Sequence, residues 1–358
     1  VSGNIHTAGQ ELASRYRILS FLDQGGMQEV YRAWDTILDR EVALKAPKSP
    51  SAVRRFKQSA VLSARVNHPN AAKTLDYFEE GNRYYLVEEF IDGTDLAKLR
   101  ARLPMMDPYT VAHILHHLAK GIAALHHMDV VHRDLKPSNI MIDGGLEFRG
   151  IKVTDFGVAK MAEAEMTEAI EGGEESITHS STAIGAVPYL APEVIENPRS
   201  AGKPADIWAL GALAYELLSG EKPFGAGFKA VIAITRASPP ALPKWIMLKG
   251  QFRDLGNDLH TVILTCLNKD PNARPSADVL VQLCEQLCYP TFPRQIGTVS
   301  NYINSSRAFG FITSEATTVF FHSSSVYGPV PAEGTSVWFA RFSGSPRDRA
   351  HPIVLLAK

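Results

Sequence analysis

Cysteine is scarce in this chain. Cys266, Cys284 and Cys288 are the only three in 358 residues. That is too few for a disulfide framework and points to a reducing, cytoplasmic setting. Cys284 and Cys288 sit four apart, at helical spacing, with no histidine nearby to complete a ligand set, so both read as core residues. No run of about 18 apolar residues occurs, so no membrane-spanning helix is expected. The first residues lack a basic-then-apolar leader pattern. Neither sign of charge dominates: 37 Lys and Arg face 38 Asp and Glu, so no global field draws the chain to nucleic acid or to an anionic membrane. One local absence matters more. No acidic residue occurs between Glu41 and Asp76.

What is present is ordinary for a globular protein: 45% hydrophobic and 21% charged residues, in a length that allows two domains or more. Residues 1–14 read as a polar lead-in. From Arg15 to about Phe90, short apolar runs with turn residues suggest a small strand-rich lobe; from Asp95 to Cys288 helical patterns dominate. Asp107-Pro108 reads as a helix start, because Asp caps and Pro suits the first helical position. Val111, Ile114, Leu115, Leu118, Ile122 and Leu125 then recur at helical spacing. His113 and His117 share a face of that helix, without an evident third metal ligand. Pro290 and Pro293 mark a break, and the rest alternates in a β-like way. The expected division is a lead-in at 1–14, a first domain at 15–288, a linker at 289–294 and a second domain at 295–358. The linker is short enough to keep the two domains together.

The most specific run is His132-Arg133-Asp134-Leu135-Lys136-Pro137-Ser138-Asn139, followed by Asp155-Phe156-Gly157. An Asp and an Asn five apart, then a second Asp before Phe-Gly, is the layout that phosphoryl transfer from Mg-ATP requires. On these residues the chain resembles the eukaryotic-like (bacterial Hanks-type) protein kinases, and Lys136 resembles the Ser/Thr branch. The resemblance implies an α+β, bilobal protein kinase fold with ATP and Mg2+ as cofactors. It implies Asp134 as the group that orients the acceptor hydroxyl and takes its proton, assisted by Lys136, with Asn139 and Asp155 holding the metal ions. Glu41-Val42-Ala43-Leu44-Lys45 matches the strand that presents the phosphate-binding lysine, Lys45. Leu22, Gly25, Gly26 and Val30 would border the nucleotide, Ala43 and Met141 would sandwich the adenine, and Glu89 and Ile91 would supply hinge backbone bonds.

The chain departs from the family in three places. Asp23 and Gln28 stand where the phosphate loop usually has Gly. Ala186 replaces a Thr that contacts the catalytic Asp and Lys. On the helix expected at about Val53 to Val66, the slot of the Glu that normally pairs with the lysine falls on Ser59. Glu88, at the gatekeeper position, is the nearest available acid. It either pairs with Lys45 or angles to water or a backbone donor. The departures leave two readings open: an active Ser/Thr kinase, or a pseudokinase that positions its second domain. Between Gly157 and Gly185 an acidic then hydroxyl-rich stretch reads as an activation loop, with Ser176, Thr178, Ser180, Ser181 and Thr182 as phosphorylation candidates near Arg133. Glu193 should pair with Arg274, and Asp206 should brace the catalytic-loop backbone.

Gly297-Thr298-Val299, Arg307-Ala308-Phe309-Gly310-Phe311-Ile312 and Val319-Phe320-Phe321-His322 resemble a cold-shock domain, a five-stranded OB-type β-barrel. Alternate residues of a strand share a face, so Phe309 and Phe311 point one way, as do Phe320 and His322. These rings form either a stacking platform for single-stranded RNA or DNA, with Arg307 and Tyr302 beside it, or a barrel core. The family's first-strand Trp is absent, with Tyr302 nearby as a substitute, and Ser323 replaces an aromatic residue. A regulatory or protein-docking barrel is the competing role. The kinase resemblance implies a protein hydroxyl as the acceptor.

Overall fold

The computed structural model describes residues 4–24, 28–48, 60–156, 185–236, 241–248, 250–301, 308–315 and 317–357. The N-terminal lobe is a six-stranded antiparallel sheet. Its strands are β1 (Glu11–Leu12), β2 (Tyr16–Gln24), β3 (Gln28–Asp35), β4 (Arg40–Pro47), β5 (Thr74–Glu80) and β6 (Arg83–Glu89), in the order β1-β2-β3-β4-β6-β5. Strand alternation decides its two faces. Tyr31, Ala33, Val42, Leu44, Ala46, Tyr85 and Val87 bury one face. The opposite residues Gln28, Val30, Ala43, Lys45 and Glu88 line the other. The lead-in differs from expectation: Leu12 is buried in β1, and the His6 amide donates to the Tyr31 hydroxyl at 3.0 Å. Its few apolar side chains close the open edge of the lobe's core.

The C-terminal lobe is built on α1 (Leu96–Arg102), α2 (Pro108–His127), α3 (Pro192–Glu196), α4 (Lys203–Ser219), α5 (Gly227–Arg236), α6 (Lys244–Leu248), α7 (Gly250–Cys266) and α8 (Ala277–Gln286). Short strands β7 (Gly93–Asp95), β8 (Ile140–Asp143) and β9 (Gly150–Val153) form a small sheet beside them. Asp107 caps α2, its carboxylate accepting from the Thr110 amide, with Pro108 in the first turn. Cys284 is buried on α8, but Cys288 is exposed, because the helix ends at Gln286 and Cys288 lies past it at φ 45°. Among the described residues, no helix is long and apolar enough to cross a membrane.

His113 and His117 stack edge-to-face on α2 with centroids 4.4 Å apart. Among the described residues, no group of three or more His, Cys, Asp or Glu could hold a metal ion. Burial, together with His113, Lys120, His116 and His68, lowers the His117 pKa from 6.5 to about 4. The folded state therefore binds fewer protons than the unfolded chain. The contribution is whole above pH 6.5 and is lost as pH falls from there toward 4. The melting temperature should drop across that window. His117→Gln should make the decline shallower; an unchanged slope in the variant would contradict this.

The last strands are β10 (Arg294–Ser300), β11 (Phe309–Ser314), β12 (Thr317–His322), β13 (Val326–Tyr327), β14 (Ser336–Phe342) and β15 (Arg349–Leu355). Five of them close into a barrel in the order β12-β11-β10-β14-β15, because β15 pairs back to β12; the short β13 joins β15 from outside that ring. Val299, Ile312, Val319, Phe321, Val337, Phe339 and Ile353 fill the barrel. A Cβ at Gly297 would meet the Ile312 side chain at 2.4 Å, so only glycine lets β10 cross there.

The barrel is joined to the C-terminal lobe by more than the chain. Arg294, expected in the linker, is the first residue of β10. Its guanidinium grips Asp107 with bonds of 2.7 and 3.0 Å and stacks 4.1 Å above Trp338. The Tyr327 hydroxyl donates to the Leu218 carbonyl at 2.7 Å, and the Ala357 amide donates to the Arg102 carbonyl at 2.8 Å. Tyr327, Trp338, Val354 and Leu356 belong to the core of the C-terminal lobe, not to that of the barrel.

Candidate active site

Lys45 lies on β4 at the floor of the cleft. Opposite residues of an antiparallel pair share a face, and Glu88 of β6 is paired with Ala43, two residues before Lys45. Glu88 is thus the diagonal neighbour of Lys45, within reach of a long side chain. The structure places Glu88 Oε2 2.5 Å from Lys45 Nζ, with both side chains under one-tenth exposed. Lys45 also donates to Asp155 Oδ1 at 2.9 Å. Burial disfavours the ammonium, yet Asp155 and Glu88 outweigh it and raise the Lys45 pKa. Burial raises the pKa of Glu88 against the pull of Lys45, so its carboxyl lies above the usual range. At Asp155 burial loses to Lys45, Gln28 and His132, and the pKa falls. Two acids, Glu88 buried and Asp155 half-buried, thus share one cation, and Asp155 is the more firmly ionised.

The second half of the site lies on the loop between α2 and β8. Asp206, buried in the first turn of α4, accepts the backbone N–H groups of His132 and Arg133, each at 2.8 Å. The His132 ring reaches the Thr154 carbonyl at 2.9 Å, and the Thr154 amide donates to the Asn139 carbonyl at 2.9 Å. These bonds tie the loop to the segment carrying Asp155. Within the loop, Lys136 Nζ donates to both Asp134 oxygens at 2.8 and 3.0 Å. Asn139 Nδ2 donates to the Asp134 carbonyl and to its carboxylate at 2.8 and 3.0 Å. With its nitrogen committed to Asp134, the Asn139 amide oxygen remains the group suited to a cation. Arg133 and Asp155 hold left-handed backbones at φ 65° and 58°, which non-glycine residues adopt at a cost and which gather at working sites.

The protein kinase domain family matches residues 16–284. The chain belongs to the protein kinase family. Serine/threonine-protein kinase PrkC of Bacillus subtilis is 34% identical over 270 residues, covering 74% of this chain and 39% of that protein. Serine/threonine-protein kinase PknB of Mycobacterium tuberculosis is 31% identical over 277 residues, covering 75% of this chain and 42% of that protein. Serine/threonine-protein kinase pkn2 of Myxococcus xanthus is 31% identical over 271 residues, covering 74% and 31%. The matches thus span well under two thirds of the length of these relatives, and the family match ends before the barrel.

Within the kinase lobes, Val30, Ala43 and Met141 are half-buried, as side chains lining a cleft are, and Leu22 is exposed. The Glu89 amide is engaged by the Lys73 carbonyl at 2.9 Å, and its carboxylate by Lys152 at 2.9 and 3.1 Å. Ile91 packs against the C-terminal core. Glu193 and Arg274 form the expected two-pronged pair at 2.7 and 2.8 Å. Asp23 pairs with Lys98 at 3.0 Å, and both side chains are exposed. Gly25, Gly26, Ser59, Ser176, Thr178, Ser180, Ser181, Thr182, Tyr302 and Arg307 lie outside the described residues.

On the barrel, Phe311 faces Phe320 across β11 and β12, and Phe309 faces His322. The three Phe rings touch, with centroids 5.6 to 6.3 Å apart, and all are half-buried on the outer face. The alternating residues Ile312, Val319 and Phe321 are the ones that fill the core. His322 is exposed and spends Nδ1 on Ser324, capping the turn after β12. Arg347 lies 5.3 Å over Phe311, a cation–π contact that sequence reasoning did not single out. It also missed the Gln28 side chain, which reaches Asp155.

Proposed function

We propose that this chain is an ATP-dependent Ser/Thr protein kinase whose lysine is anchored by Glu88. The observation that carries the reading is the linked set of Lys45, Asp155, Asn139 and Asp134 on one cleft. The oxygen-donor set of Asn139 and Asp155 suits Mg2+. When bound, Mg-ATP supplies the γ-phosphoryl group and the cations that neutralise its charge. Asn139 and Asp155 would hold the cations, and Lys45 would hold the phosphates. Asp134 would take the proton of the acceptor hydroxyl at its carboxylate, with Lys136 beside it. Retention of all these groups weighs against the pseudokinase alternative. Incubation with Mg-ATP should place phosphate on hydroxyls between Ser176 and Thr182, and Lys45→Ala or Asp155→Ala should abolish it. An intact mass that never changes would contradict the reading.

We infer further that the barrel is a cold-shock-like, OB-type module that binds single-stranded RNA or DNA through Phe309, Phe311 and Phe320. The rings form a contiguous outer cluster with Arg347 beside it, and each stacked base is worth about 1–3 kcal/mol. Phe309→Ala with Phe320→Ala should therefore weaken single-strand binding at least about tenfold. The fold should survive, since neither ring belongs to the barrel core. Binding that withstands both changes, or none by the unaltered protein at low salt, would sink the idea.

A further inference from the structure

Gln28 is the first residue of β3, and its side chain crosses the cleft to Asp155. Gln28 Nε2 donates to Asp155 Oδ1 at 3.0 Å, and that same oxygen accepts from Lys45 Nζ at 2.9 Å. One carboxylate oxygen thus carries two donors from the N-terminal lobe. A cation drawn to this oxygen has to displace a donor. Lys45 has a second partner in Glu88 and can release Asp155 while remaining paired. Gln28 has a neutral amide, which holds the carboxylate without contributing charge, so it is the donor that a cation would replace. The register explains how it gets there: Gln28 shares the cleft face with Val30 and Lys45 and sits opposite Pro47. A glycine there would carry no donor at all.

We propose that Gln28 is a positioning residue that latches the phosphate-loop strand onto Asp155 in the nucleotide-free protein and opposes loading of the divalent cation. This deepens the kinase reading and rests on it. The latch opens when the cation takes the Asp155 oxygen, so cation binding and release of the loop strand are one event. The relevant quantity is cation affinity, not the rate of transfer.

The test uses the full chain carrying Asp134→Asn, which removes turnover, with a non-hydrolysable ATP analogue and Mn2+ followed by electron paramagnetic resonance. Gln28→Met keeps length and bulk without the donor. It should tighten Mn2+ binding by about three- to tenfold, the worth of one net hydrogen bond. Amide hydrogen exchange at Gln24 and Val30 should quicken in the nucleotide-free variant. Unchanged or weaker Mn2+ binding in Gln28→Met would overturn the latch. In that case Mn2+ binding that is retained, and lost in Asp155→Ala, would leave the kinase reading standing. A protein that takes up no Mn2+ with the analogue, with or without Gln28, would overturn both.

Discussion

Arg294→Ala should destabilise the chain by about 3–5 kcal/mol, the cost of removing one partner from a buried ion pair. Asp107 is fully buried, and the Arg294 side chain is 5% exposed. Truncating Arg294 leaves a buried carboxylate without its cation. The same carboxylate caps α2, accepting from the Thr110 amide and hydroxyl, so the damage reaches a 20-residue helix of the C-terminal lobe. Trp338 also loses the guanidinium stacked on it. Arg294→Lys keeps the charge but not the planar fork and should fall between the two. Urea titration is the measurement. Because the lobe and the barrel share Tyr327 and Trp338, both should unfold in one transition at a lower midpoint. A barrel that melts separately, or a loss below about 1 kcal/mol, the scale of an exposed pair, would show that the contact is peripheral.

Glu88→Gln should cut kcat/KM by about a hundredfold, the scale of an ångström-level misplacement of a catalytic group. The amide keeps the shape but removes the charge that holds Lys45. Asp155 would then be the remaining acid on the lysine, drawing it away from the phosphates. Stability should change far less than activity, since Lys45 retains one carboxylate. Ser59→Glu restores an acid at the position where the family carries it and should recover part of the loss. Undiminished activity in Glu88→Gln would remove Glu88 from the account. The consequence for regulation is direct. An anchor on β6 belongs to the same sheet as Lys45, whereas one on the following helix moves with that helix.

The Lys45–Glu88 contact was legible because the stretch from Glu41 to Asp76 holds no acid, which left few partners for the lysine. The catalytic loop was legible because its chemistry needs a fixed spacing of Asp134 and Asn139. Strand alternation put Phe309 and Phe311 on one face and left open whether that face was platform or core; the burial of Ile312 and Phe321 puts the two rings outside. The docking of the barrel was not read. Arg294 and Asp107 are 187 residues apart, and no local pattern pairs them. A signal was nevertheless present. Val337-Trp338-Phe339-Ala340 is an unbroken apolar run, the mark of a strand buried on both faces, and all four residues are buried. Gln28 was read only as a lost glycine, because a side chain's reach across the cleft depends on the closure of two lobes.

The central claim is phosphoryl transfer at Asp134. It is tested most directly by following γ-phosphate from radiolabelled Mg-ATP onto protein hydroxyls, comparing the unaltered chain with Asp134→Asn. The account predicts incorporation on Ser and Thr by the former and a loss of at least about a hundredfold in the latter. Equal incorporation by both proteins, or none by either, would contradict it.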